Sequence, residues 1–405
     1  MKRAIMAGAI ALLTAASPAS AQTIFSMHAL AQTRLIAPSG EVSWFDGGFG
    51  KLRYGLDEGD IAARISDLYL EGSAQFSGAL RATATLKYDP EQTNAVDIME
   101  GYFRYRPVSL GHWRWSMKAG AFFPPVSFEN TALGWTSPYT LTPSALNTWV
   151  GEELRAVGGE GSLEWRSMRH SVTLLASLYA WNDPAGFLLA DRGWALEDRV
   201  TTFFDRVRLP DAFAGSRHPI PFTQTEFLEM DGKPGWYAGL NWKEQNGPEF
   251  RVLRYDNRAD PSARKKGQIA WLTKFWSAGV QVPVGRYNVI AQAIHGSTVI
   301  EPAPGRRFTT DFESLFALAT REFGDVRLAG RVEAFRTRET VSTGAPGRRE
   351  DGKAATFAAS WRANDHVRLT GEALYLTSDR PQRLLAGENP KAIETQLQLS
   401  AQLSF

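Results

Sequence analysis

Through most of the 405-residue chain, segments of about ten residues alternate polar and apolar side chains on a two-residue period. Successive side chains of a strand point to opposite faces, so each such segment has one apolar face and one polar face. In GALRATATLKYDP, Leu80, Ala82, Ala84, Leu86 and Tyr88 share one face, and Arg81, Thr83, Thr85, Lys87 and Asp89 the other. GHWRWSMKAGAFF sets Trp113, Trp115, Met117, Ala119 and Phe123 against Arg114, Ser116 and Lys118. Further on, Val326, Leu328 and Val332 oppose Arg327, Arg331 and Glu333, and Val367, Leu369 and Tyr375 oppose Arg368, Thr370 and Glu372. The final stretch puts Leu397, Leu399, Ala401, Leu403 and Phe405 opposite Gln396, Gln398, Ser400, Gln402 and Ser404.

Alternation alone does not separate a strand with water outside it from one with lipid outside it. The connections do. Candidate strands lie near 25–36, 61–76, 78–89, 95–107, 111–124, 151–166, 168–181, 234–245, 247–257, 267–282, 285–298, 308–323, 325–340, 352–363, 366–378 and 391–405. Every second link is long, at 37–60, 90–94, 125–150, 182–233, 258–266, 299–307, 341–351 and 379–390. The others are tight, among them Ser77-Gly78, Gln245-Asn246-Gly247, Gly324-Asp325 and Asn364-Asp365. Short turns at one rim and long loops at the other mark an outer-membrane barrel with both termini in the periplasm. An open sheet edge in hydrocarbon would strand amides and carbonyls, so the sheet closes. The expected fold is all-β, a transmembrane antiparallel β-barrel of about sixteen strands with short periplasmic turns and long external loops. Alternation blurs in GQIAWLTKFWSAGVQV, where Lys274 and Trp276 share the parity of Leu272, so the count is expected to within one hairpin.

At the other end, Lys2 and Arg3 precede an apolar run to about Ala16 and then Ala19-Ser20-Ala21, the pattern of a signal peptide cleaved after Ala21. Residues 22–405 read as one barrel domain, because no Pro/Ser-rich linker or charge block divides them. No stretch has the roughly 18 uninterrupted apolar residues of a transmembrane helix. The absence of cysteine excludes a disulfide framework and a thiolate metal site. A net charge of +2 gives no support to nucleic-acid binding. The sequence implies no cofactor.

A barrel of this size encloses more space than its side chains fill, so loops that fold inwards matter most. Segment 125–150 and its flanks hold no Lys or Arg from Ala119 to Leu154 and carry Glu129, Asn130, Trp135, Tyr139, Glu152 and Glu153 among hydroxyls and amides. It is expected to form a constriction inside the barrel, or else a surface loop with anchored aromatics. Segment 182–233 is longer than an idle loop usually is and is expected to be a lid, a plug or an extended external loop. On the wall, Arg81, Lys87, Arg104, Arg106, Arg114 and Lys118 form a basic cluster that would draw anions, and Arg327, Arg331 and Arg368 join the pore lining. By the same parity Asp67, Glu71, Asp89, Glu100, Glu160, Glu164, Glu313 and Glu372 face inwards, so a salt-bridged lumen of weak selectivity stands beside the anion path.

No HExxH, Ser-centred elbow or phosphate-cradling Gly loop occurs, and the six His residues are scattered, so the chain is not expected to be an enzyme. IMEGYFRYRP at 98–107 followed by MKAGAFFPPVSFEN at 117–130 resembles the phosphate-selective porin O and P type of outer-membrane channel. That resemblance implies sixteen strands, often a homotrimer, a narrowing third loop and basic side chains that guide anions. It also implies that Phe405 is read by the barrel-assembly machinery. The third loop departs from the family in lacking Lys and Arg. The expected function is a passive channel for small hydrophilic solutes or anions such as phosphate; the alternative is a loop-plugged barrel acting as a receptor, adhesin or structural protein. The expected partners are outer-membrane lipid and the solute.

Overall fold

The computed structural model describes residues 23–55, 61–213 and 223–405; the expected signal peptide, and Arg217, His218 and Phe222 of the long loop, lie outside the described residues. Sixteen antiparallel strands close into one barrel in sequence order. They are β1 (Ile24–Ser39), β2 (Ala62–Gln75), β3 (Leu80–Tyr88), β4 (Val96–Tyr105), β5 (Trp113–Phe122), β6 (Ala156–Arg166), β7 (His170–Ala180) and β8 (Gly235–Glu244). The circuit continues with β9 (Glu249–Asp256), β10 (Leu272–Val284), β11 (Tyr287–Ala303), β12 (Arg306–Phe323), β13 (Val326–Val341), β14 (Arg349–Arg362), β15 (Val367–Asp379) and β16 (Lys391–Ser404). Among the described residues no helix is long and apolar enough to cross a membrane; the crossings are made by strands.

Closure falls between β16 and β1, where Leu30 to Ser39 pair with Ser404 back to Thr395. Phe405 finishes the seam by exchanging two backbone hydrogen bonds with Ala29, each 3.0 Å, and its ring stacks on His366. The apolar parity faces outwards: Leu399 is 62% exposed, while its neighbour Gln398 is 2% exposed. A soluble sandwich has the reverse pattern, and a wall bathed in lipid has this one. Outward aromatics gather near the short-turn rim, where Trp113 faces Trp165 across β5 and β6 and Tyr287, Phe323 and Trp361 continue the ring. At that rim Gly285 and Gly324 open the turns after β10 and β12 at φ +61°, a conformation that glycine adopts without a Cβ clash.

The expected strands are all present, with boundaries shifted by about five residues at three places; the tenth strand starts at Leu272 instead of 267, because Gln268–Ile269 pair with Arg264–Lys265 in a small separate sheet. Residues 299–307 form no long loop, because β11 and β12 run on to a tight turn in which Gly305 has φ +73°. The sixth strand starts at Ala156, since 151–153 belong to helix α1 (Ala145–Glu153).

Two residues also change face. Glu313 points outwards to His295 (3.1 Å) and Arg336 (2.9 Å), because Phe312, Ser314 and Phe316 occupy the inner parity of β12. Phe123, assigned to the lipid face, turns inwards to stack on Trp135 with ring centres 4.2 Å apart.

The seam yields a direct expectation. Deleting Phe405 removes two backbone bonds and a ring contact from the closing pair, so the amount of folded barrel in outer-membrane fractions should fall severalfold, read by gel mobility without heating. Normal amounts of folded variant would show that closure does not depend on the terminal residue.

Candidate functional site in the barrel lumen

The third long loop leaves β5 at Phe122 and crosses the lumen. Ser127 turns it by accepting from the amides of Glu129 (3.0 Å) and Asn130 (2.7 Å). Phe128 packs with Ile290, Phe316 and Leu318 of the facing wall. From there the wall holds the loop through buried charges. Arg331 on β13 pairs with Glu129 at 2.5 Å and Glu333 at 2.8 Å, and it donates to the Thr142 carbonyl at 2.8 Å. Glu372 on β15 accepts from the amides of Leu141 (2.6 Å) and Thr142 (3.1 Å), and Glu333 from that of Ala145 (2.7 Å). Each acid thus receives backbone donors that the loop would otherwise bury unsatisfied.

Helix α1 follows, started by Ser144, whose hydroxyl accepts from the Asn147 amide. Trp149 is fully buried among Phe275, Phe312 and Trp194. Those wall aromatics, with Tyr237 and Tyr255 in register beside Phe275, make the inner surface apolar at this level. On the opposite side Gly134, at φ +71°, lies against the ring of Tyr69; a Cβ there would come within 2.3 Å of it.

Two further segments fold in above the third loop. The segment after β7 forms helix α2 (Phe187–Asp191) and continues through buried Trp194, Leu196 and Val200. The first long loop contributes Trp44, Lys51 and Arg53. Arg53 reaches Asp67 (3.3 Å), Asp89 (3.1 Å) and Asp198 (3.3 Å), and Arg34 reaches Asp198 at 2.5 Å. Lys51 pairs with Glu350; burial outweighs that carboxylate and brings the ammonium down to about 7.

The residues expected to act together divide into two groups. Glu129, Glu152 and Glu153 are fully buried and committed to packing contacts, and Asn130 donates to the Trp135 carbonyl. Lys87 and Arg331 face inwards but are sealed, Lys87 between Asp67 (3.1 Å) and Asp89 (2.9 Å). Glu100 accepts from the Phe123 amide at 3.0 Å.

The second group meets solvent. Arg81, Arg104, Arg106 and Arg114 line one recess of about 390 Å³ near the short-turn mouth. Arg114 and Lys118 face Glu164 (3.8 Å) and Glu160 (3.3 Å). Arg104 and Arg106 have no carboxylate partner among the described residues. Across the lumen, Arg368 shares a second mouth recess with Arg327 and Arg362. Between the third loop and strands β1 and β14–β16 a narrow cleft runs from Arg368 and Gln402 past Thr136, Ser137, Tyr139 and Thr140 to the Arg34–Asp198 pair. Arg34, Arg53 and Asp198 escaped sequence reading, because a balanced run of charges does not reveal which partner each one meets.

A closed sixteen-stranded barrel with an apolar exterior, a polar or loop-covered interior and a third loop folded into the lumen has the architecture of outer-membrane porins. Solved structures agree. The chain is similar to the outer membrane channel DcaP of Acinetobacter baumannii, at TM-score 0.58 and 10% identity over 96% of this chain and 99% of that one. It is similar to a loop L8 deletion mutant of OmpT, an outer membrane protein of Vibrio cholerae, at TM-score 0.54 and 8% identity over 95% and 100%. An anion-selective porin from Comamonas acidovorans gives TM-score 0.53 and 9% identity over 95% and 100%. Comparison with protein families finds no match, and comparison with curated proteins finds none. At these identities the likeness is one of fold.

The Arg331 pairing predicts a measurable stability loss. R331M leaves Glu129 and Glu333 buried without their guanidinium, so unfolding in urea should report a loss of about 3–5 kcal/mol. An unchanged midpoint would mean that the carboxylates are satisfied without it.

Proposed function

We propose that the chain is a passive channel in the outer membrane of a Gram-negative bacterium, admitting small hydrophilic solutes with a preference for anions. The observation that carries this reading is the contrast between paired and unpaired cations. At plug level Arg34, Arg53, Lys87 and Arg331 are neutralised by carboxylates. At the mouth Arg81, Arg104 and Arg106 line an open recess and have no such partners among the described residues. A concentration of one sign at a narrow wet mouth raises the local concentration of the opposite ion. The solute path follows the cleft beside the third loop, lined by hydroxyls and amides between Arg368 and Arg34; its volume of about 20 Å³ fits little more than a water, so a larger solute passes only when the loops part. Two of the similar folds are named as an outer membrane channel and an anion-selective porin, which supports the same reading.

Export by the 1–21 segment, assembly through Phe405 and a homotrimer belong to this proposal, as does phosphate as one of the anions. A second reading is favoured by the core around Trp149: a barrel closed by its own loops, acting as a receptor or structural protein.

Planar-bilayer recording separates the two. Folded protein should conduct, and in a salt gradient the reversal potential should show anion preference. Replacing Arg104, Arg106, Arg114 and Lys118 together with Gln should move the reversal potential towards zero. A lack of current would favour the closed-barrel reading; current with an unmoved potential would remove these four residues from the selectivity.

A further inference from the structure

The plug contains four acids that the pore lining does not use. Glu152 and Glu153 end α1, Glu197 follows α2, and Glu226 comes from the far part of the same segment; each is at most 1% exposed. They form two carboxyl pairs, Glu197 within hydrogen-bonding reach of Glu152 and Glu226 of Glu153.

The groups around them are few. Arg192 binds Glu152 through both terminal nitrogens, the second at 2.7 Å, and lies 3.9 Å from Glu197. Arg199 is engaged by Asp205 at 2.5 Å, and Lys51 by Glu350. From the first loop, the Trp44 indole donates to Glu197 at 3.0 Å. Glu153 accepts from the Trp149 indole and from the amides of Gly186 (3.2 Å) and Leu188 (2.9 Å). From the barrel wall the titratable group facing Glu153 is Tyr255. Glu226 receives none of these donors, and both of its oxygens are buried without a hydrogen-bond partner. Four carboxylates thus converge on one shared guanidinium, and among the described residues the neighbour within hydrogen-bonding reach of Glu226 is another carboxyl group.

Two ionised carboxylates in contact, cut off from water, repel strongly, whereas one proton between them makes a hydrogen bond. We infer that Glu197 and Glu226 carry protons that they donate to the neighbouring Glu152 and Glu153, and that losing these protons loosens the lumen plug, making the closure sensitive to pH. Burial and the adjacent carboxylates hold Glu197 and Glu226 well above the ordinary carboxyl range, and burial brings Glu153 to about 7. Groups shifted upwards stabilise the plug fully below the ordinary carboxyl range and lose that contribution as pH rises through their raised values, about 7 for Glu153. The repulsion acts between α1 and the segment that carries α2, Glu197 and Glu226, which are the pieces filling the lumen. Any effect on current rests on the channel reading above; the loosening itself does not.

Amide hydrogen exchange on the full-length folded barrel tests this, with variants compared at equal pH so that intrinsic exchange cancels. E226Q and E197Q replace the protonated carboxyl group with a neutral amide. At about pH 8.5 the amides of 183–202 should exchange about tenfold faster in the wild type than in either variant, and at about pH 5.5 at equal rates. Equal exchange at the higher pH would overturn the inference, and if one variant fails to fold the other carries the comparison. Protection regained by the wild type at the higher pH on adding calcium chloride would also overturn it, in favour of a cation between the carboxylates. Exchange that responds to pH in a protein that passes no current would sustain the inference and sink the channel reading.

Discussion

Hydrocarbon offers a backbone amide no water to bond with, and the rest of this structure follows from that constraint. Every strand pairs on both sides, so the sheet must return to its own first edge, and the β16–β1 seam completes it. Sixteen strands then enclose a lumen wider than two layers of side chains can fill. The chain closes that space with its own long links. Three of them fold inwards and pack on one another as well as on the wall.

Filling the lumen changes what the inner wall has to be. Where the wall faces solvent near the short turns, arginine, lysine, glutamate and hydroxyls line it. Where it faces the plug, Tyr255, Phe275, Phe312 and Phe335 take the inner positions and meet Trp149 and Trp194. Charges at that depth are removed from water, and those that anchor the third loop and the wall beside it are held by specific partners: Arg331 by two glutamates, Lys87 by two aspartates, and the loop amides by Glu372 and Glu333. Solvent-facing charge inside the barrel is therefore concentrated at the mouths. The plug is anchored by neutralised pairs, and at the wet rim cations such as Arg104 have no carboxylate partner among the described residues.

Most of the barrel was legible because its period is a local property. Each strand shows its two faces within ten residues, and the alternating link lengths tell lipid from water. The errors share one cause. Polar parity places Glu313 in the lumen, but polar parity marks the inner face only where the lumen is wet; on β12 the inner parity is Phe312 and Phe316, covered by the third loop. The same rule places Phe123 in lipid, whereas it stacks on Trp135 beneath the Arg155 guanidinium. The blurred alternation of the middle strands records this covered wall. Within the candidate site, the inward position of Arg81, Arg104, Arg114 and Lys118 was legible from parity, whereas their separation from the sealed Lys87 and Arg331 was not.

The sequence by itself determined the strands, most of their faces, the rim on which the long links lie and the presence of a third loop without Lys or Arg, because each of these is written in spacing or composition over a short span. Only the tertiary structure decided which cations are free and which are neutralised, that the lumen is packed at the level of Trp149, and that Glu226 ends against Glu153. Partners such as Arg331 and Glu129, or Glu226 and Glu153, lie tens to hundreds of residues apart in sequence. Their meeting depends on how three loops share one enclosed space, and no local period encodes that.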